Sequence, residues 1–151
     1  MEIGSPHRTH ARWLWLLLGL FLVRVAAQPL AALTGWRWLP PFTAWQSGAL
    51  PYAVLLAAQL SIATGMATVA AGVASGRSRP NRRTGLVLAV SAALYGAVMT
   101  TRLVLGATVL RGHWWFDAPL PTVFHLALTT FMAVYGHYHL RGHAPASALA
   151  V

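Results

Sequence analysis

SGRSRPNRR, residues 75–83, holds Arg77, Arg79, Arg82 and Arg83 and no acid, and it separates two long apolar runs, residues 50–74 and 86–110. A transmembrane helix needs about 20 mainly apolar residues, so each run is long enough to cross a bilayer. Short connections rich in Arg stay on the cytoplasmic side. Residues 75–85 therefore read as a cytoplasmic basic loop between two spans.

Two more apolar runs flank this pair, residues 13–33 and 119–140. The chain has 151 residues, 57% hydrophobic and only 9% charged, more apolar surface than a soluble domain of this size hides. The expectation is an all-α integral membrane protein, a four-transmembrane-helix bundle that forms a single membrane domain over residues 1–151. The remaining connections agree. GWRWLPPFTAWQSG (35–48) carries Trp36, Trp38 and Trp45, and RGHWWFDAP (111–119) carries Trp114 and Trp115, residues that favour the membrane interface. Seven Arg (8, 12, 77, 79, 82, 83 and 141) fall on the side of the termini and basic loop, and two (37 and 111) on the other. Both termini are thus expected in the cytoplasm, with the protein multi-pass in the inner (plasma) membrane of a bacterium. The bacterial origin rests on Arg without Lys and on the Ala/Leu bias. Arg8 and Arg12 ahead of an apolar run that reaches Val25-Ala26-Ala27 also resemble a cleaved signal, but the run continues to residue 33 and spans without help.

A formal charge of +9 would suggest nucleic-acid binding in a soluble protein. Here topology accounts for it, and no nucleic-acid partner is expected. The absence of cysteine removes disulfide, thiolate-metal and thiol redox chemistry. A shift of 78 residues superposes Arg24 on Arg102, Trp36 on Trp114 and Pro41 on Pro119, a faint parallel repeat.

Arg24 and Arg102 are the informative residues. Each lies within an apolar run, about 12 Å below the outer end of its helix, where Arg costs several kcal/mol unless paired, solvated or functional. Other polar groups fall in the same outer half: Gln28 one turn from Arg24, Gln59 on the second helix, Tyr95 in the stripe of Arg102, and His125 on the fourth. Such groups often hold helices in register by hydrogen bonding. What that reading leaves over is charge, since the only acid on this side is Asp117. The missing partner is water, backbone carbonyls, a carboxylate of another subunit, or an anionic or quinone-like amphiphile such as a lipid phosphate, isoprenoid or carboxylate. Arg24, Arg102, Gln28, Gln59, Tyr95 and His125 are accordingly the candidate ligand-binding residues.

Three other function classes compete. Asp117, His113 and His125 form a candidate catalytic set at the mouth of the bundle, with the carboxylate orienting an imidazole acid/base. No metal site is expected: His139 and His143 have a ligand-like spacing, but they read more simply as a cationic helix end. No cofactor is expected, although a quinone stays compatible with the pocket. A haem needs two imidazoles at matching depth, and only His125 lies well inside a run. An anion path would require dimerisation. An accessory subunit or assembly factor of a larger membrane complex, or a homo-oligomer, would expose bare apolar faces to partners as well as to the lipid bilayer.

Overall fold

The computed structural model describes residues 6–45 and 50–142. Four α-helices run in order, α1 Pro6–Thr34, α2 Tyr52–Ala74, α3 Arg82–Ala107 and α4 Pro119–Arg141, with a short 3-10 turn at Phe42–Trp45. α1 starts well before residue 13 because nothing in residues 7–12 breaks a helix. Its 29 residues reach about 44 Å at 1.5 Å per residue, more than the ~30 Å hydrocarbon layer. His7 and His10, expected in a tail, are helical for the same reason; His143 lies outside the described residues. At the other boundary of interest, α3 begins at residue 82 rather than 86. Asn81 caps it, its Oδ1 accepting from the backbone N–H of Arg83 at 2.9 Å and of Thr84 at 3.2 Å.

Three helices, α1, α2 and α3, are long and apolar enough to cross a membrane, and only 33%, 22% and 17% of their most apolar windows are buried within the chain. Leu16, Val87 and Leu94 are each more than 60% exposed. That much outward-facing aliphatic surface marks a membrane protein. α4, at 23 residues, is long enough but less apolar, since it carries His125, His137, His139 and three Thr.

α1 and α4 are the central pair; α2 packs on α1 and α3 packs on α4, and α2 and α3 make no close backbone approach. The buried positions explain these pairings. On α1, Ala11, Leu14, Leu18, Phe21, Val25 and Gln28 recur at alternating intervals of three and four, and on α2 so do Gln59, Ala63, Met66, Ala70 and Val73. Such a seam is the 3.5-residue repeat of left-handed helix packing. A bond between Gln28 and Gln59 sets the antiparallel register. α3 and α4 approach through small residues instead. A Cβ on Gly96 would come within 2.9 Å of Thr129, and one on Gly136 within 3.2 Å of the Ala89 backbone, so side chains at these positions would force the helices apart.

The basic connection is pinned to the end of α4. The Tyr138 hydroxyl donates to the Ser78 carbonyl, and the Asn81 N–H donates to His139 Nδ1 at 2.9 Å. A two-fold axis relating the halves would turn the α1–α4 contact into one between α3 and α2. That contact does not occur, so the second half does not reproduce the packing of the first.

Candidate functional site

At the end of the helices opposite the basic loop, all four elements contribute to a partly enclosed cavity of about 230 Å³. α1 gives Phe21 and Arg24, α2 gives Leu55, Ala58, Gln59 and Ile62, α3 gives Tyr95, and α4 gives Phe124, His125 and Leu128. Since α2 and α3 make no close backbone approach, lining from all four means that the row of helices is bent into an arc around the cavity.

Arg24 enters it from the central helix. Its side chain is only 5% exposed, Nη2 donates to the Trp45 carbonyl over a long 3.4 Å, and the guanidinium carbon lies 5.5 Å from the Phe124 ring centroid. Nε has no partner among the described residues. Trp45 and Phe124 stack with centroids 6.3 Å apart, and Trp45 is held by its indole N–H donating to the Pro40 carbonyl at 3.0 Å. The Pro40-Pro41 break thus turns the first connection back over Arg24 and roofs the charge with aromatic surface.

Gln59 and Gln28 form a second polar element, the Gln59 Nε2 donating to Gln28 Oε1 at 3.4 Å. Gln59 lines the cavity and Gln28 lies behind it, fully buried. Gln28 Nε2 and Gln59 Oε1 are buried with no further partner among the described residues. Opposite them, the Tyr95 hydroxyl and His125 Nδ1 are 2.6 Å apart, with the rings edge to face. Thr122 and Thr129, which share the His125 stripe, return their hydroxyls to carbonyls one turn back in α4 and offer a ligand little.

Arg102 stands apart from this lining. Its Nε donates to the Trp115 carbonyl at 2.9 Å and its guanidinium sits 4.5 Å from the Trp115 ring centroid. Gly106 permits this, because a Cβ there would run into the Phe116 carbonyl. Both intramembrane guanidinium groups therefore meet a loop carbonyl and an aromatic ring, the backbone alternative among those weighed from sequence. For Arg24 the bond is long and Nε is left over; for Arg102 the bond is short and Nη2 is left over.

Asp117, His113 and His125 do not converge. Asp117 Oδ2 accepts from the Gly112 N–H at 3.0 Å, which closes the third connection around a Gly112 φ of 81°. His113 is exposed and stacks on Trp114, while His125 is occupied with Tyr95. Among the described residues no three His, Asp or Glu side chains cluster to hold a metal.

Sequence reasoning missed two contacts. His10 on α1 faces His137 on α4, Nε2 to Nδ1 at 3.0 Å, a pairing hidden while His10 was read as tail. The Trp45–Phe124 roof was equally invisible, because interfacial Trp placement gives depth but not which residue folds inward. No protein-family model, curated protein or solved structure matches the chain.

Proposed function

We propose that the chain is a small bacterial plasma-membrane protein that binds an anionic or quinone-like amphiphile in the cavity lined by Arg24, Gln59, Tyr95 and His125. On this reading α4 is a fourth span, both termini are cytoplasmic, and the cavity lies in the outer half of the bundle. The observation that carries the proposal is three buried polar atoms with no hydrogen-bond partner among the described residues, Arg24 Nε, Gln59 Oε1 and Gln28 Nε2, on two residues that line one cavity and a third bonded to Gln59. Unpaired buried polar atoms cost free energy, and a ligand with a polar head removes that cost.

Extraction in a mild detergent followed by native mass spectrometry tests this. A co-purifying amphiphile that persists in Arg102→Leu and is lost in Arg24→Leu is the expected result. Retention of the same ligand by Arg24→Leu and by Gln59→Leu would overturn it. The bare aliphatic faces of α2 and α3, each packed on a single neighbour, favour a second reading as a subunit or assembly factor of a larger complex. Stoichiometric protein partners in the same spectra would support that instead.

A further inference from the structure

The cavity is too small for a whole amphiphile. A void of about 150 Å³ accommodates one benzene ring and drug-sized ligands occupy roughly 300–1,000 Å³, so about 230 Å³ admits a polar head or a single ring and no long tail. Any tail must leave, and the helix arrangement provides one direction. α2 and α3 make no close backbone approach, and two of the residues that α2 contributes to the lining, Ala58 and Ile62, are themselves exposed. Ile62 lies ten residues into α2, about 15 Å along the helix axis, a depth occupied by hydrocarbon rather than water. The opening between α2 and Tyr95 of α3 is therefore a side window onto the bilayer.

The head is selected by charge. Among the described residues Arg24 is buried without a carboxylate, its Nε has no partner and its Nη2 holds only a long bond to Trp45. The Nε–Nη2 edge of a side chain that lines the cavity is thus poorly satisfied by the protein, and it suits the paired N–H donation that a carboxylate accepts once the side chain turns toward it. Flipping both amides of the Gln28–Gln59 pair preserves their mutual bond and leaves Gln59, which lines the same cavity, with an unspent N–H in place of its unspent oxygen. We infer that the cavity takes the carboxylate of a single-chain fatty acid, admitted sideways from the membrane between α2 and α3, with the tail left lying in the α2–α3 slot. This rests on the proposed amphiphile site and names its ligand class and route.

The test uses the full-length protein in non-ionic detergent, with dodecanoate, methyl dodecanoate and benzoate as probes, read by native mass spectrometry and by competition. Dodecanoate should bind one per chain. Methyl dodecanoate, which lacks the charge, should bind roughly tenfold more weakly or worse, as should dodecanoate to Arg24→Gln. Ile62→Trp and Ala58→Leu narrow the slot without touching the polar groups. They should weaken dodecanoate by about tenfold more than benzoate, a head without a tail whose own loss reports the narrowing of the cavity that both residues also line. Size-exclusion profiles establish that each variant is folded. Equal binding of acid and ester would overturn the carboxylate class, and unaltered dodecanoate affinity in both slot variants would overturn the lateral route. If no carboxylate binds while a short-chain benzoquinone does, the inference fails and the broader amphiphile site survives; if neither binds, both fail.

Discussion

Replacing Gln28 and Gln59 by Leu, singly and together, separates the structural and binding roles of the buried amide pair. Gln28 is 0% and Gln59 2% exposed, so neither is relieved by solvent. Their shared bond is long, 3.4 Å, and one polar atom on each side has no partner among the described residues. An unpaired buried polar atom costs about 1–3 kcal/mol, whereas a made bond contributes about 0.5–1.5 kcal/mol. Gln59→Leu abolishes one orphan, Gln59 Oε1, but strips Gln28 Oε1 of its donor. The number of orphans is unchanged and the bond is gone, so the variant should lose about 0.5–1.5 kcal/mol; the same reasoning holds for Gln28→Leu. The double variant removes both orphans together with the bond and should be more stable than the parent by about 1–5 kcal/mol. Hydrogen bonds between membrane helices average nearer ~0.6 kcal/mol, which moves the expectation toward the larger gain. Reversible unfolding in mixed micelles, followed by circular dichroism as denaturing detergent is added, measures all four proteins. A double variant less stable than either single would refute the reasoning, since it would mean the amides are satisfied by partners the bundle depends on. Dodecanoate binding to the same proteins is a separate readout. Full affinity in a stable double variant would remove the amides from the site and leave the stability argument intact.

Other substitutions probe the elements that carry the site. Gly106→Ala should push the third connection off α3 and break the Arg102–Trp115 contact, with about 1–3 kcal/mol lost to overpacking and faster hydrogen exchange across residues 108–118; unchanged exchange would count against the close approach. Asn81→Ala should cost about 0.5–2 kcal/mol through loss of the α3 cap, and Asn81→Ser should restore most of it in thermal unfolding. Because the chain has no cysteine, single cysteines at Ser75, Val109 and Arg141 report topology with a membrane-impermeant maleimide. Ser75→Cys and Arg141→Cys should label from the cytoplasmic side and Val109→Cys from the other; opposite labelling of Ser75→Cys and Arg141→Cys would remove α4 as a span.

The helices were legible because the physical demand that creates them is written in composition. Runs of apolar residues between Arg-rich and Trp-rich connections identify membrane-crossing segments without knowledge of their neighbours, which is why α1, α2 and α3 lie close to their expected ranges. Helix ends were less legible. Residues 7–12 are polar, and polarity marks the end of a span but not the end of a helix, so His7 and His10 were assigned to a tail although they continue α1. Neighbour relations were not legible either. Lipid rewards every outward apolar face alike, so hydrophobicity alone cannot distinguish a closed bundle from the arc in which α2 and α3 stay apart.

The same distinction governs the site. Arg24, Gln59, Tyr95 and His125 were identifiable because polar groups within an apolar run are costly enough to stand out, and their depth followed from residue counting. Arg102 was as conspicuous by that criterion, yet its surroundings differ from those of Arg24 for a reason no count along one helix contains. Gly106 lets the third connection descend until the Trp115 carbonyl and ring meet Arg102, whereas the first connection reaches Arg24 only through a long bond from Trp45. Two Arg that look equivalent in sequence, each with one nitrogen left over among the described residues, are thereby separated into one held by a short bond to its loop and one that lines a cavity. The difference lies in backbone approach, and it argues that Arg24, more loosely held and beside the cavity, is the one placed to answer a ligand.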